Sequence, residues 1–401
     1  MNPMTPHKRT LLMPALMAAL LCALNTATAQ TMDQVVSQIM QNNVHLQANE
    51  RNVQAEISTI KMQNNLGATM VSYSPFYANG VHGIASSELV VSQDFDFPTL
   101  YALRSRLGRQ QTVELQSRLQ AMQNDVRLEA RTLCLTLIHQ HKLAEVLQLR
   151  TNTMQNLVNL YEKKMQQGAA TVIELNKVRL ETMQQKAELQ KCLSAIATTE
   201  TLLKALNAGK DITLGVHQYP AKYQLPDDET IVAQYVANDM TAQADVRHTQ
   251  AMNHKLTISR NSWLPSLSVG YRRNTSLEEK SHGFRIGAAV PLFSNANRTR
   301  AAKARYESAL ATAQQTRIAA EAEIRKQLAQ MHNIRKSMDA YDVPLMQDAM
   351  TALTKACTQG EITAIDYCRE TRDITAQLQT YLTLERDYHL CVAKILKNYM
   401  P

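Results

Sequence analysis

Residues 262–293 read SWLPSLSVGYRRNTSLEEKSHGFRIGAAVPLF. Leu267, Val269 and Tyr271 alternate with Ser268, Gly270 and Arg272, and beyond a turn at 274–281 the residues Phe284, Ile286, Ala288, Val290 and Leu292 form one apolar face. A period of two is the signature of a strand that presents different faces to different surroundings. An earlier segment has the same character. Val71, Tyr73 and Tyr77 alternate with Ser72 and Ser74, and after Asn79-Gly80 the residues Leu89, Val91, Phe95 and Phe97 alternate with Glu88, Ser92, Asp94 and Asp96. The sequence thus predicts four β-strands, in pairs at about 69–97 and 265–293.

Working outward from these strands, the period changes to that of helices. Residues 33–66 and 228–262 place apolar positions three and four apart, as an amphipathic helix requires. After each strand pair the helical pattern runs for about 100 residues and breaks once, giving limbs 99–165 and 171–206, then 297–357 and 363–397. On the returning limbs Leu175, Leu189, Ile196 and Leu203 fall at multiples of seven, as do Tyr367, Ile374, Tyr381 and Tyr388. Such narrow seams predict coiled-coil packing in long antiparallel hairpins.

The chain is written twice. Val35-Val36-Ser37-Gln38 is echoed by Ile231-Val232-Ala233-Gln234, Ser72-Tyr73-Ser74-Pro75 by Ser262-Trp263-Leu264-Pro265, and Gln167-Gly168 with Thr171 and Glu174 by Gln359-Gly360 with Thr363 and Asp366. Offsets that stay between 190 and 200 residues, with small slips where loops differ, point to tandem duplication. The expected organisation is a leader at 1–29, a first repeat at 30–215 with its hairpin tip at 167–171, and a second repeat at 216–401 with its tip at 359–363.

At each tip a glycine suits the left-handed position that ends a helix, and a Thr three residues before an acid makes a capping box for the next. Turn chemistry accounts for Gly168, Thr171 and Glu174, and for Gly360, Thr363 and Asp366. It leaves unexplained the apolar residues expected to be exposed there, Val172 with Ile173 and Ile362 with Ile365.

The leader reads as a secretory signal: His7, Lys8 and Arg9 precede an apolar run from Leu11 to Leu24, and Ala27-Thr28-Ala29 allows cleavage before Gln30. Lys8 and Arg9 leave with it, so a formal charge of +8 becomes +6. The remaining Lys and Arg alternate with acids along helices and are not gathered with aromatics, which argues against nucleic-acid binding. No later apolar run approaches the roughly 18 residues of a membrane-spanning helix. Cys134, Cys192, Cys357, Cys368 and Cys391 have neither CxxC nor zinc spacing, so buried thiols are expected, with a Cys357–Cys368 disulfide as the alternative. No catalytic residue, metal site or cofactor site is expected. His139 and His141 are two apart and face different sides of a helix, and the 19 methionines are dispersed as gap-fillers.

Each strand has about the 9–11 residues of a tilted transmembrane strand. Open edges are not tolerated in lipid, and the smallest outer-membrane barrels have eight strands, so several chains must share one barrel. In its duplicated helix, strand pair and hairpin, in Ser262-Trp263-Leu264-Pro265-Ser266-Leu267, and in its paired G-x-x-T-x-[IV]-[DE] tips, the mature chain resembles the TolC-like outer-membrane efflux proteins.

The resemblance implies a mainly α fold with a small transmembrane β part: a homotrimer whose 12-stranded β-barrel, embedded in outer-membrane lipid of a Gram-negative bacterium, continues into a periplasmic α-helical barrel. The implied role is that of the passive channel component of a tripartite efflux or type I secretion system. It docks a periplasmic membrane-fusion adaptor and, indirectly, an inner-membrane pump. Carried over by position, Gly168, Thr171, Ile173, Gly360, Thr363 and Ile365 are implied adaptor contacts. Asp366 is implied to face the pore constriction, where three copies would form an anionic ring, or else serves only as a cap. Arg369 departs from the acidic continuation of some family members and puts the ring's polarity in question. The alternative is a secreted periplasmic or surface coiled-coil structural or adhesive protein, which would share the leader and the heptads.

Overall fold

The structure, a computed structural model, describes residues 30–215, 218–220, 225–291 and 297–399. The expected leader and Leu292 lie outside these residues. Helices α1 (Met32–Asn42) and α2 (Val44–Met62) lead into strands β1 (Met70–Phe76) and β2 (Ser86–Phe95). The chain then runs out along α3 (Pro98–Gln166) and back along α4 (Val172–Leu206). The same order follows in α5 (Asp228–Ala237), α6 (Met240–Arg260), β3 (Ser266–Ser276), β4 (Lys280–Ala289), α7 (Arg298–Met338), α8 (Val343–Gln359) and α9 (Ala364–Tyr399). At 1.5 Å per residue, the 69 residues of α3 span about 100 Å.

Three segments expected as single helices are broken, each by a side chain that caps the next helix. Asn43 ends α1 at φ −59°, ψ 113°, and its side chain accepts the Leu46 N–H at 3.0 Å. Asp239 accepts the Ala242 N–H at 2.8 Å and so separates α5 from α6. Asp342 accepts the Leu345 N–H at 2.9 Å. Pro344, just inside α8, has no N–H with which to continue α7. The limb expected at 297–357 is therefore two helices.

The four strands form one antiparallel sheet in the order β1-β2-β3-β4, so the two halves of the chain meet at β2–β3, and β1 and β4 are its edges. The ladder aligns Val71 with Val91, Val91 with Tyr271, and Tyr271 with Phe284, an apolar row across all four strands. Ser72, Val90, Arg272 and Gly283 form the neighbouring row on the opposite face. The strands differ from expectation at their ends. Tyr77 and Phe97 lie beyond β1 and β2, while β3 and β4 run on to a tight turn closed by the Ser276 N–H donating to Glu279 O at 2.9 Å.

The buried residues form separate clusters along the length of the chain. Val35, Ile39 and Leu46 pack on Ala130, Cys134, Leu137 and Ile138 of α3 and on Ile196 and Leu203 of α4. The matching cluster joins Ile231, Val232 and Tyr235 to Ile324 and Leu328 of α7 and to Val392 and Ile395 of α9. A third holds the two hairpin tips together. The short helices α1 and α5 are thus buttresses on long hairpins.

Candidate functional site

Two regions carry the features that the sequence singled out, the sheet and the hairpin tips. The sheet has two chemically distinct faces. One bears Val71, Tyr73, Val269, Tyr271, Phe284 and Ile286, all exposed, with Phe284 and Ile286 86% and 83% exposed. Among the described residues no helix or second sheet covers them, which in water leaves a large apolar patch of the kind that marks a protein or lipid contact. Apart from Val90, the other face is small or polar, with Ser72, Ser74, Ser92, Asp94, Ser268 and Gly270, and Arg272 Nε paired to Glu88 Oε1 at 2.7 Å.

At the first tip Gly168 takes φ 71° and the Ala169 N–H donates to Lys164 O at 2.7 Å. At the second, Gly360 takes φ 82° and the Glu361 N–H donates to Ala356 O at 2.9 Å. These are the bonds by which a left-handed glycine satisfies the last carbonyls of a helix. Thr171 and Glu174 exchange both bonds of a capping box: the Glu174 N–H donates to Thr171 Oγ1 at 3.2 Å, and the Thr171 N–H to Glu174 Oε2 at 2.9 Å. The latter bond holds the Glu174 carboxyl below its usual range. The second tip keeps half of the box. Asp366 N–H donates to Thr363 Oγ1 at 3.1 Å, but the shorter Asp side chain receives the Thr363 hydroxyl, at 2.7 Å, instead of the backbone N–H.

The tips stand side by side. Tyr161 of α3, Leu175 and Val178 of α4, Cys357 of α8, and Ala364, Tyr367 and Cys368 of α9 share one buried cluster. Burial, with Cys357 beside it, pushes the Tyr161 hydroxyl up to about 12. Ile173 is 73% exposed and Ile365 42%, and Val172 is also exposed, the exposure expected of these tip residues. Ile362 corrects the expectation: it is half-buried, because it folds back onto the shared cluster. Asp366 does not stand alone, since Arg369 Nη2 lies 3.2 Å from Asp366 Oδ1 and Arg369 Nε 3.2 Å from Glu370 Oε1. All five described cysteines, including Cys357 and Cys368, are free and buried, and burial pushes the Cys368 thiol up to about 11.

Above the tip cluster lies a feature the sequence reading missed. Arg150 Nη2 and Glu181 Oε1 are 3.0 Å apart with side chains 6% and 4% exposed. Gln185 Nε2 donates to the same carboxylate oxygen at 3.4 Å, and Arg150 Nε has no partner among the described residues. Burial holds the guanidinium below its usual range, against the opposing pull of Glu181. A charged residue seven before Leu157, inside an apolar seam, was the available signal.

His139 is also buried, its Nδ1 3.1 Å from Leu382 O, and burial lowers its pKa, so it is a neutral core histidine. Among the described residues no group of His, Cys, Asp and Glu has the arrangement of a metal site, and no helix is long and apolar enough to cross a membrane.

No family model matches the sequence, and no curated protein matches it. Solved structures do. The Campylobacter jejuni CmeC outer membrane channel superposes with a TM-score of 0.75 at 16% identity, over 92% of this chain and 85% of that one. The outer membrane protein VceC from Vibrio cholerae gives 0.72 at 13% identity over 92% and 96%. The open state of the Neisseria gonorrhoeae MtrE outer membrane channel gives 0.70 at 12% identity over 92% and 88%. The chain has the fold of these channels along nearly its whole length.

Proposed function

We propose that the protein is one protomer of a trimeric outer-membrane conduit, the passive exit duct of a tripartite efflux or type I secretion system, and that its two halves are copies of one unit. The observation that carries this is the sheet. Among the described residues its apolar face is uncovered and its polar face mostly small, and the outer borders of β1 and β4 have no strand partner. Such a sheet satisfies its edges by pairing β4 of one protomer with β1 of the next. Four strands fall short of the smallest barrels, whereas three chains give twelve. The apolar face then meets lipid and the polar face lines the duct.

The tips follow from this arrangement. A duct that runs about 100 Å from the barrel ends where α3 turns into α4 and α8 into α9. Ile173 and Ile365, set on rigid glycine turns, offer the exposed apolar contacts that a periplasmic adaptor would use, with Gly168, Thr171, Gly360 and Thr363 fixing their orientation. Asp366 is proposed to face the constriction, its field reduced by the partner Arg369. The role involves no chemistry on the cargo and needs no cofactor.

The test uses the full chain expressed in a Gram-negative host. The expected outcome is recovery in the outer-membrane fraction as a trimer that resists detergent until heated, with Ile173→Asp/Ile365→Asp keeping the trimer but losing co-purification with its adaptor. Single-channel recording of Asp366→Asn checks the constriction through a fall in cation preference. A soluble periplasmic monomer would sink the proposal in favour of the coiled-coil structural reading.

A further inference from the structure

The exposed apolar face of the sheet changes character along its length. Its three rows nearest the helices, from Phe95, Leu267 and Ala288 to Val71, Val91, Tyr271 and Phe284, carry no charged residue. The next row outward aligns Tyr73, Leu89, Arg273 and His282, and the one after it Pro75, Ser87, Thr275 and Lys280. Arg273, Lys280 and His282 are exposed, and neither the Arg273 guanidinium nor the Lys280 ammonium has an ion-pair or hydrogen-bond partner among the described residues. The polar face treats its cation differently, since Arg272 is neutralised by Glu88 at 2.7 Å. The other acids at this end of the sheet are Glu278 and Glu279. Glu279 falls on the polar face by alternation with Lys280, Glu278 stands in the closing turn, and among the described residues neither pairs with Arg273 or Lys280. Uncompensated positive charge on the apolar face is thus confined to the end away from the helices.

On the conduit reading this face meets lipid and the helices mark the periplasmic side, so the charged rows stand at the outer surface of the membrane. From Ala288 to Lys280 the strand rises about 27 Å, which at a tilt of about 40° gives about 20 Å of height against a lipid-facing band of about 25 Å. Lys280 therefore lies at the outer border of that band. Arg273 and His282 lie one row inside it, where a long side chain keeps its stem in the apolar layer and lifts its charge to the headgroups. Tyr73, exposed in the same row as Arg273, and Tyr77, exposed just beyond β1, mark the border independently, because tyrosines gather where lipid meets water. A cation on the lipid face is costly at the midplane and is stabilised beside an anionic headgroup. The rows at the inner end offer no such cation, so the charge complements the outer leaflet alone.

We propose that Arg273 and Lys280, with His282 as a further donor, form a docking site for the phosphorylated headgroup of an outer-leaflet glycolipid, a reading that rests on the conduit assignment. Arg273 and His282 are direct cross-strand partners, and Lys280 is the next residue of β4 on the same face, so the three lie within about 8 Å of one another at their Cβ atoms. A guanidinium fork takes two phosphate oxygens and the ammonium a third. His282 and Lys280 belong to β4, the edge that the proposed barrel joins to the next protomer. A headgroup held there lies at the seam between protomers, and its binding favours the assembled trimer.

The experiment uses the full-length protein in nonionic detergent, titrated with diphosphoryl lipid A, with its phosphate-free form and with phosphatidylglycerol. Native mass spectrometry counts the lipids bound, and a heating series followed by electrophoresis gives the temperature at which the trimer dissociates. Diphosphoryl lipid A is expected to bind the wild type more tightly than either other lipid and to raise that temperature. Its affinity should fall about tenfold in Arg273→Gln/Lys280→Gln, while Arg273→Lys and the polar-face Arg285→Gln retain it. Equal binding of the phosphate-free form, or unchanged binding in the double variant, would overturn the site. Phosphatidylglycerol bound as tightly as diphosphoryl lipid A would also overturn it, because any anionic lipid would then serve. Should the double variant fail to assemble, the single variants carry the test, and wild-type binding in both of them would remove the site. All of these results leave the wild-type trimer, and with it the conduit reading, standing; a soluble monomer that binds none of the lipids would remove both.

Discussion

Shortening the Glu181 side chain leaves the Arg150 guanidinium charged and without its partner in a place where both are almost wholly buried. Breaking a buried pair from one side typically costs about 3–5 kcal/mol, whereas replacing both partners by apolar residues of similar size is close to neutral. Glu181→Ala is therefore expected to lower the melting temperature well below that of Arg150→Met/Glu181→Leu; equal melting of the two would show that the pair does not act as a unit. At this scale the sequence was legible where bonding is local. The capping box of Thr171 and Glu174 is written in four consecutive positions, and both of its bonds form. Arg150 and Glu181 were not legible, because a charge on a helix reads as solvated until α4 and α9 close over it. That closure depends on residues such as Cys368 and Thr371, more than 180 positions away in sequence.

Among the elements, the strands were read from their alternation and the hairpin tips from their glycines, since each signal lies within a few residues. The breaks at Asn43, Asp239 and Asp342 were missed. In each the apolar spacing resumes almost in phase on the far side, so periodicity carries through a cap that only side-chain geometry reveals. The break between α7 and α8 has two local causes, the Asp342 cap and the missing donor of Pro344. Asp342→Ala/Pro344→Ala removes both, and it is expected to slow amide exchange across residues 339–345 as the two helices join. Unchanged exchange would mean that packing against α9, where Tyr341 lies 6.1 Å from the Tyr381 ring, holds the bend by itself. Ile362 was misread for a related reason: its neighbours in sequence are exposed, and the cluster that shelters it is assembled from both tips.

For the whole molecule, the sheet's uncovered face makes a sharp demand. A cationic side chain on the lipid face of an outer-membrane barrel costs about 2–4 kcal/mol at the midplane. Ile286→Arg, on the most exposed strand, is expected to reduce the heat-modifiable trimer recovered from the outer membrane. The neighbouring Arg285→Gln, on the polar face, should leave the yield intact, and equal loss in both would deny that the two faces meet different solvents. The four-stranded sheet was legible from alternation, and the proposed sharing of one barrel by several chains rests on that strand number. The meeting of Arg104, Lys255 and Arg305 was not legible, because they come from three helices that only the fold brings together.

The edges β1 and β4 have a consequence for the life of the protein before assembly. On the proposed assembly, between export across the inner membrane and arrival beside its two siblings, each newly made polypeptide carries two unsatisfied strand borders next to Phe284 and Ile286. That is the template on which β-rich aggregates grow. Biogenesis must then be a race between insertion and clumping, and production of the protein in quantity should be limited by the supply of holdase chaperones that shield those borders in transit.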